Sequence, residues 1–255
     1  MNDNYMMYDW NENTIGYFQE LRLANDESDR QHLSLYGFRK NPDYIPHQAL
    51  DRIYVGILNI HGMMIGQYDF PLKSVIHTAE SIPFSYDGDW ELLVHTYEQV
   101  ARTRRMFEMW DLLRDPSSLR CGLWIDLTLA ERKIWQTVAR TYALQTHSWR
   151  NQGQAGMTIH LDGRLITDQY AFFFMLGEQL NGPVGYYGSS LDAMEDCLCG
   201  DFGSVPPFTV IWSHYQYMEN NELLQRKNDH GHTMLEVIQT AIAILEEHAV
   251  TIIKE

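Results

Sequence analysis

The part of this chain that most limits what it can fold into is its last hundred residues, where short apolar runs alternate with helical patterns. MTIHL (157–161) reads as a strand ending at the Asp162-Gly163 turn. A helix is expected from about Thr167 to Leu180, stopped by Asn181-Gly182-Pro183, and a short helix LDAMEDCL closes at Gly200. PFTVIW (207–212) has the continuous apolar character of a buried strand, MLEVIQTAIAILEE (234–247) that of an amphipathic helix, and AVTIIK (249–254) that of a final strand. Strands separated by helices imply an α/β fold, a small, mainly parallel sheet covered by helices.

Upstream the pattern changes. THSWRNQGQAG, Thr146 to Gly156, has polar residues and glycines without helical periodicity. Residues 151–156 are therefore expected to link an N-terminal domain, 1–150, to a C-terminal domain, 157–255. RIYVGILNI (52–60), His61-Gly62 and MIGQYDF suggest a hairpin, and CGLWIDL (121–127) another strand. Between them DWELLVHTYEQVARTRRMFEMWDLLR (89–114) places Leu93, Tyr97, Val100, Phe107 and Trp110 near one helical face, which predicts the longest helix of the chain. A second helix is predicted from the capping-box pattern Thr128-Leu-Ala-Glu131 onward. Residues 1–50 read as polar and irregular, with ANDESDRQ as a solvated run. The N-terminal domain is thus expected to be mixed α+β, with Trp90, Trp110, Trp124 and Trp135 belonging to a core.

Several function classes find no support. P-loop, G-x-S-x-G, H-E-x-x-H and G-x-G-x-x-G patterns are absent, and scattered histidines such as His61, His77 and His95 are usually structural, so the chain is not expected to be an enzyme or to need a cofactor. Cys121, Cys197 and Cys199 are an odd number without disulfide-framework spacing, which fits a reducing compartment. The Cys197/Cys199 pair and His230/His232 are better explained as thiols of a fold and a turn before a helix than as metal ligands. With no leader-like N-terminus and no long apolar run, a cytoplasmic location is expected, without membrane contact. Net charge is −15, and residues 157–255 hold 4 of the 19 Lys and Arg but 14 of the 34 Asp and Glu. Such a surface repels nucleic acid and attracts a basic partner.

Within that acidic half the segment GPVGYYGSSLDAMEDCLCG (182–200) is similar to the signature of the barstar family, small inhibitors of barnase-type ribonucleases. The similarity is carried by Pro183, Tyr186, Tyr187, Gly188, Leu191, Asp192, Ala193, Asp196, Cys197, Leu198 and Gly200, and extends over IHLDG, VIW, the penultimate helix and VTII. The resemblance implies an inhibitor whose loop and short helix enter the active site of a toxic enzyme, with acidic side chains standing where substrate phosphates would. By motif, Asp192 and Asp196 take that role, with Tyr186, Tyr187, Gly188, Ser190, Glu195 and Asp201 completing the partner-binding set. One tyrosine is expected in contact and one partly buried, with Gly188 letting the loop approach the partner. Asp192 and Asp196, four apart on a helix, share one face and repel by roughly 0.2 to 0.5 kcal/mol. The sequence departs from the family pattern at Ser190, Glu195 and Asp201, in one additional residue between Pro183 and Tyr186, and at Thr240–Ile242, where some members are acidic.

The implied function is that of an immunity protein for a cognate toxin with a basic cleft, a ribonuclease or another cytotoxic enzyme. Two alternatives stay open: immunity against a different class of toxin, such as an ADP-ribosyltransferase delivered between bacteria, or an adaptor whose N-terminal domain binds a second partner.

Overall fold

Alternating buried and exposed positions organise the N-terminal residues into strands. The computed structural model describes all residues except 1–2, 26–30, 46–49, 77–86, 96–103, 151 and 229. The described strands are β1 (Tyr5–Tyr8), β2 (Thr14–Phe18), β3 (Glu20–Asn25), β4 (Gln31–Lys40), β5 (Leu50–Leu58), β6 (Met64–Ile76) and β7 (Gly88–Val94). They pair in the order β2-β1-β5-β6-β7-β4-β3. β2 also pairs with β4, Gly16 opposite Lys40 and Tyr17 opposite Arg39, so the ladder returns on itself. The β5–β6 hairpin forms as expected, with Val55 opposite Tyr68. Helix α1 (Arg104–Asp111) buries Met106, Phe107, Met109 and Trp110, and the Trp110 indole Nε1–H donates to the Tyr68 hydroxyl at 3.1 Å.

Two expectations fail in this part. The polar N-terminal residues form four strands, because Met7, Ile15, Phe18, Leu33, Leu35 and Phe38 supply buried positions at strand spacing. The long helix predicted over 89–114 begins as β7: Trp90 pairs with Leu35 and Leu92 with Leu33, cross-strand partners distant in sequence that override a helical spacing. Helix occupies Arg104–Asp111, while Tyr97 and Val100 lie outside the described residues.

The chain divides into compact units Met1–Ser118 and Leu119–Glu255. The linker expected at 151–156 therefore does not coincide with the division, and α2 (Leu129–Thr146) falls in the second unit. The cause is a set of buried polar ties. Arg132 on α2 donates to Asp168 Oδ2 and Thr167 Oγ1, each at 2.7 Å, and to the carbonyls of Trp124 (3.2 Å) and Ile125 (2.7 Å). The predicted strand CGLWIDL is a succession of turns. Its backbone groups find partners without a ladder: Gly122 N–H donates to Glu178 at 2.8 Å, and the two carbonyls just named accept from Arg132. Trp110, Trp124 and Trp135 are core residues as expected, whereas Trp90 on β7 is only half-buried.

The rest of the second unit follows the sequence closely. Strands β8 (Thr158–Asp162), β9 (Thr209–Ser213) and β10 (Thr251–Lys254) form a parallel sheet of order β10-β9-β8. Helices α3 (Gln169–Asn181), α4 (Leu191–Leu198), α5 (Tyr215–Glu219) and α6 (Met234–Glu247) accompany it. Asp168 caps α3, its carboxylate accepting from Ala171 N–H at 2.9 Å, and Thr233 with Glu236 forms a capping box on α6. Phe172 of α3 stacks on Trp212 of β9 with ring centroids 5.7 Å apart, fixing helix to sheet. No helix among the described residues is long and apolar enough to cross a membrane.

Candidate functional site

The acids singled out by motif lie on α4 and the turn after it. Ser190 is the N-cap, its hydroxyl accepting from Ala193 N–H at 3.3 Å, which starts the helix in register with Asp192 in its first turn. Met194, Cys197 and Leu198 are buried, and Asp192, Glu195 and Asp196 are exposed. An apolar stripe at helical spacing thus turns the three carboxylates outward. Asp201, in left-handed conformation with φ 66°, is exposed just beyond Gly200. The helix N-terminus favours the charge on Asp192, whereas Asp196, near the C-terminal end, sits where the dipole disfavours a negative charge. Glu195 lies 4.0 Å from His248 Nε2 at the end of α6, against which α4 packs. Burial and the neighbouring Asp196 push the Cys197 thiol up to about 12, so it is a packing residue rather than a nucleophile.

Beneath these acids the tyrosines and Gly188 pack into the domain. Both rings are buried, Tyr186 at 9% exposure and Tyr187 at 0%. The Tyr187 hydroxyl donates to the Ser204 carbonyl at 2.8 Å, and burial raises the phenol above its ordinary range. Tyr186 packs against Trp149, ring centroids 6.4 Å apart. Gly188, at φ 96°, is buried too; a Cβ there would stand 2.5 Å from Met194 Cα, so the glycine admits close approach of the loop to the chain's own helix. The loop also presses on α3, where a Cβ on Gly177 would meet the Gly185 carbonyl oxygen at 2.3 Å. The additional residue before the tyrosines is accommodated with Val184 at φ 57°, a region β-branched residues rarely adopt.

The eight predicted residues therefore form two layers: Ser190, Asp192, Glu195, Asp196 and Asp201 outside, Tyr186, Tyr187 and Gly188 within. Motif reasoning missed Asn181, a buried amide whose Nδ2 donates to the carbonyls of Tyr186 (2.8 Å) and Phe202 (3.0 Å), joining the loop before α4 to the turn after it. It also missed Gln136, whose Nε2 donates to the Ser189 carbonyl at 2.7 Å. The only sequence signal for Asn181 was its place in an Asn-Gly-Pro helix stop, and Gln136 carried none.

Among the described residues no group of three His, Cys, Asp or Glu side chains is placed to hold a metal ion. Cys197 is buried and Cys199 exposed, and His230 and His232 are exposed ahead of the Thr233 cap.

Residues 156–253 match the family described as barstar (barnase inhibitor). The match covers the parallel sheet, α3 to α6 and the acidic helix, and begins after α2. No curated protein matches the chain significantly.

Proposed function

We propose, taking the barstar match of residues 156–253 as premise, that this chain is an immunity protein that binds a cognate toxin with a basic active-site cleft, a ribonuclease, and blocks it. The observation that carries this reading is the outward row Asp192, Glu195 and Asp196 on a capped, well-anchored helix of the matched domain, continued by Asp201. The mechanism is occlusion. A cleft built for the phosphates of RNA offers cations at fixed positions, and carboxylates on a rigid helix satisfy them without a scissile bond. Association relieves two unfavourable features of the free inhibitor, the repulsion between Asp192 and Asp196 and the poor placement of Asp196 in the helix field. Long-range attraction between the acidic domain and a basic enzyme accelerates encounter.

The test is inhibition of a purified barnase-type ribonuclease by the full chain and by Asp192→Ala/Asp196→Ala. Wild type should abolish RNA cleavage at stoichiometric concentration and weaken as salt is raised. Each truncation should cost about 2 to 5 kcal/mol of binding, a range general to buried hydrogen-bonded charge pairs, with barnase–barstar itself among the systems it was drawn from. Undiminished inhibition by the double variant would remove α4 as the binding surface, and failure of the wild type would remove the ribonuclease as target.

A further inference from the structure

The segment 119–155 lies outside the family match but inside the same compact unit, and it runs along the loop that precedes α4. At its start, Gly122 N–H and Trp124 Nε1–H both donate to Glu178 Oε2 on α3, at 2.8 and 3.0 Å. In its middle, Gln136 donates to the carbonyl of Ser189, immediately before the α4 N-cap. At its end, Trp149 lies against Tyr186 and meets Phe202 edge-on at 5.3 Å. Arg150 N–H donates to Asn181 Oδ1 at 3.2 Å, Gly203 N–H donates to Gln152 Oε1 at 3.1 Å, and Gly153 N–H donates to the Gly203 carbonyl at 2.8 Å. The segment thus touches the loop before the acidic helix and the turn after it.

That loop does little to determine its own shape. Its short-range bonds are Gly185 N–H to the Gly182 carbonyl at 2.8 Å and a 3.4 Å contact between the Tyr186 and Ser189 hydroxyls, and it holds Val184 at positive φ. Bonds to α3, to 119–155, to the first turn of α4 and from the Tyr187 hydroxyl to the Ser204 carbonyl supply the remainder.

We infer that residues 119–155 are a brace that fixes the loop 182–190 and thereby the presentation of α4, with Gln136 and Trp149 as its positioning residues. This rests on α4 being the partner surface. A preset loop spares the complex the cost of ordering it, and a loosened loop lowers the population competent to bind, weakening apparent affinity by the same factor.

The experiment compares full-length wild type, Gln136→Ala, Trp149→Ala and Trp149→Phe. Amide hydrogen exchange is followed by mass spectrometry across 182–190 and across α6, alongside the urea midpoint and the affinity for a barnase-type ribonuclease. Loss of one hydrogen bond should quicken exchange at Tyr186–Ser190 about three- to tenfold and weaken binding by a similar factor. Exchange in α6 should not change, and Trp149→Phe should restore most of the loss of Trp149→Ala. Unchanged loop exchange in both alanine variants would overturn the brace. Faster loop exchange with full affinity would overturn its role in presentation. If wild type binds no ribonuclease while the variant loops still loosen, the brace stands and the function proposed above falls.

Discussion

Glu178 shows how a single buried carboxyl shapes this domain. Burial raises its pKa above the ordinary 4.5, outweighing the hydrogen bonds from Trp124, Gly122 and Val184 that favour the charged form. Its Oε2 accepts from both Gly122 N–H and Trp124 Nε1–H. A folded-state pKa above the unfolded one means that the native state holds its proton more tightly. The stabilisation is complete below about 4.5 and is lost as pH rises through the folded value. Glu178→Gln keeps an acceptor for Trp124 without the charge. Urea unfolding from pH 4.5 to 8 should show a smaller decline of stability with rising pH in the variant than in wild type, and parallel curves would refute the assignment.

At the scale of elements, the helices were legible wherever their ends were written locally. The Thr128/Glu131 capping box read from the sequence begins α2, and Asp168, Ser190 and the Thr233/Glu236 pair cap α3, α4 and α6 in the same local way. Elements settled by distant partners were not legible. Gly88–Val94 is a strand because β4 lies beside it, and 121–127 is a run of turns because Glu178 and Arg132 take its polar groups. The same limit applied to the site. The exposure of Asp192, Glu195 and Asp196 follows from α4's own periodicity, whereas the burial of Tyr186 depends on Trp149, well upstream in the chain. The tie between α2 and α3 is the buried Arg132–Asp168 pair, 2.7 Å apart, with Arg132 also stacked over Trp124 at 5.3 Å. Arg132→Met should cost about 3 to 5 kcal/mol, since it strands a buried carboxylate along with the carbonyls of Trp124 and Ile125. Chemical denaturation checks this, and a loss below 1 kcal/mol would mean that water reaches the site.

For the molecule as a whole, the smallest piece expected to behave as a domain is Leu119–Glu255 rather than the family-matched stretch. A fragment of 119–255 should unfold in urea as one cooperative transition. A fragment of 156–255 should unfold at lower urea, because Glu178 and Asp168 lose the donors held by Gly122, Trp124 and Arg132. Equal midpoints would place 119–155 outside the cooperative unit. The parallel sheet carries a further consequence, for time. β9 is its centre, and α3 and α4 both belong to the crossover that leads from β8 to β9. Nothing local closes that excursion; it waits for Thr209–Ser213 to emerge and dock, then for β10 to join. The acidic face is therefore expected to be complete only once the central strand has been made, so on the proposed function a nascent chain should protect nothing until translation has passed it. How soon a cell is guarded would then depend on how fast this chain is finished as well as on how tightly it binds.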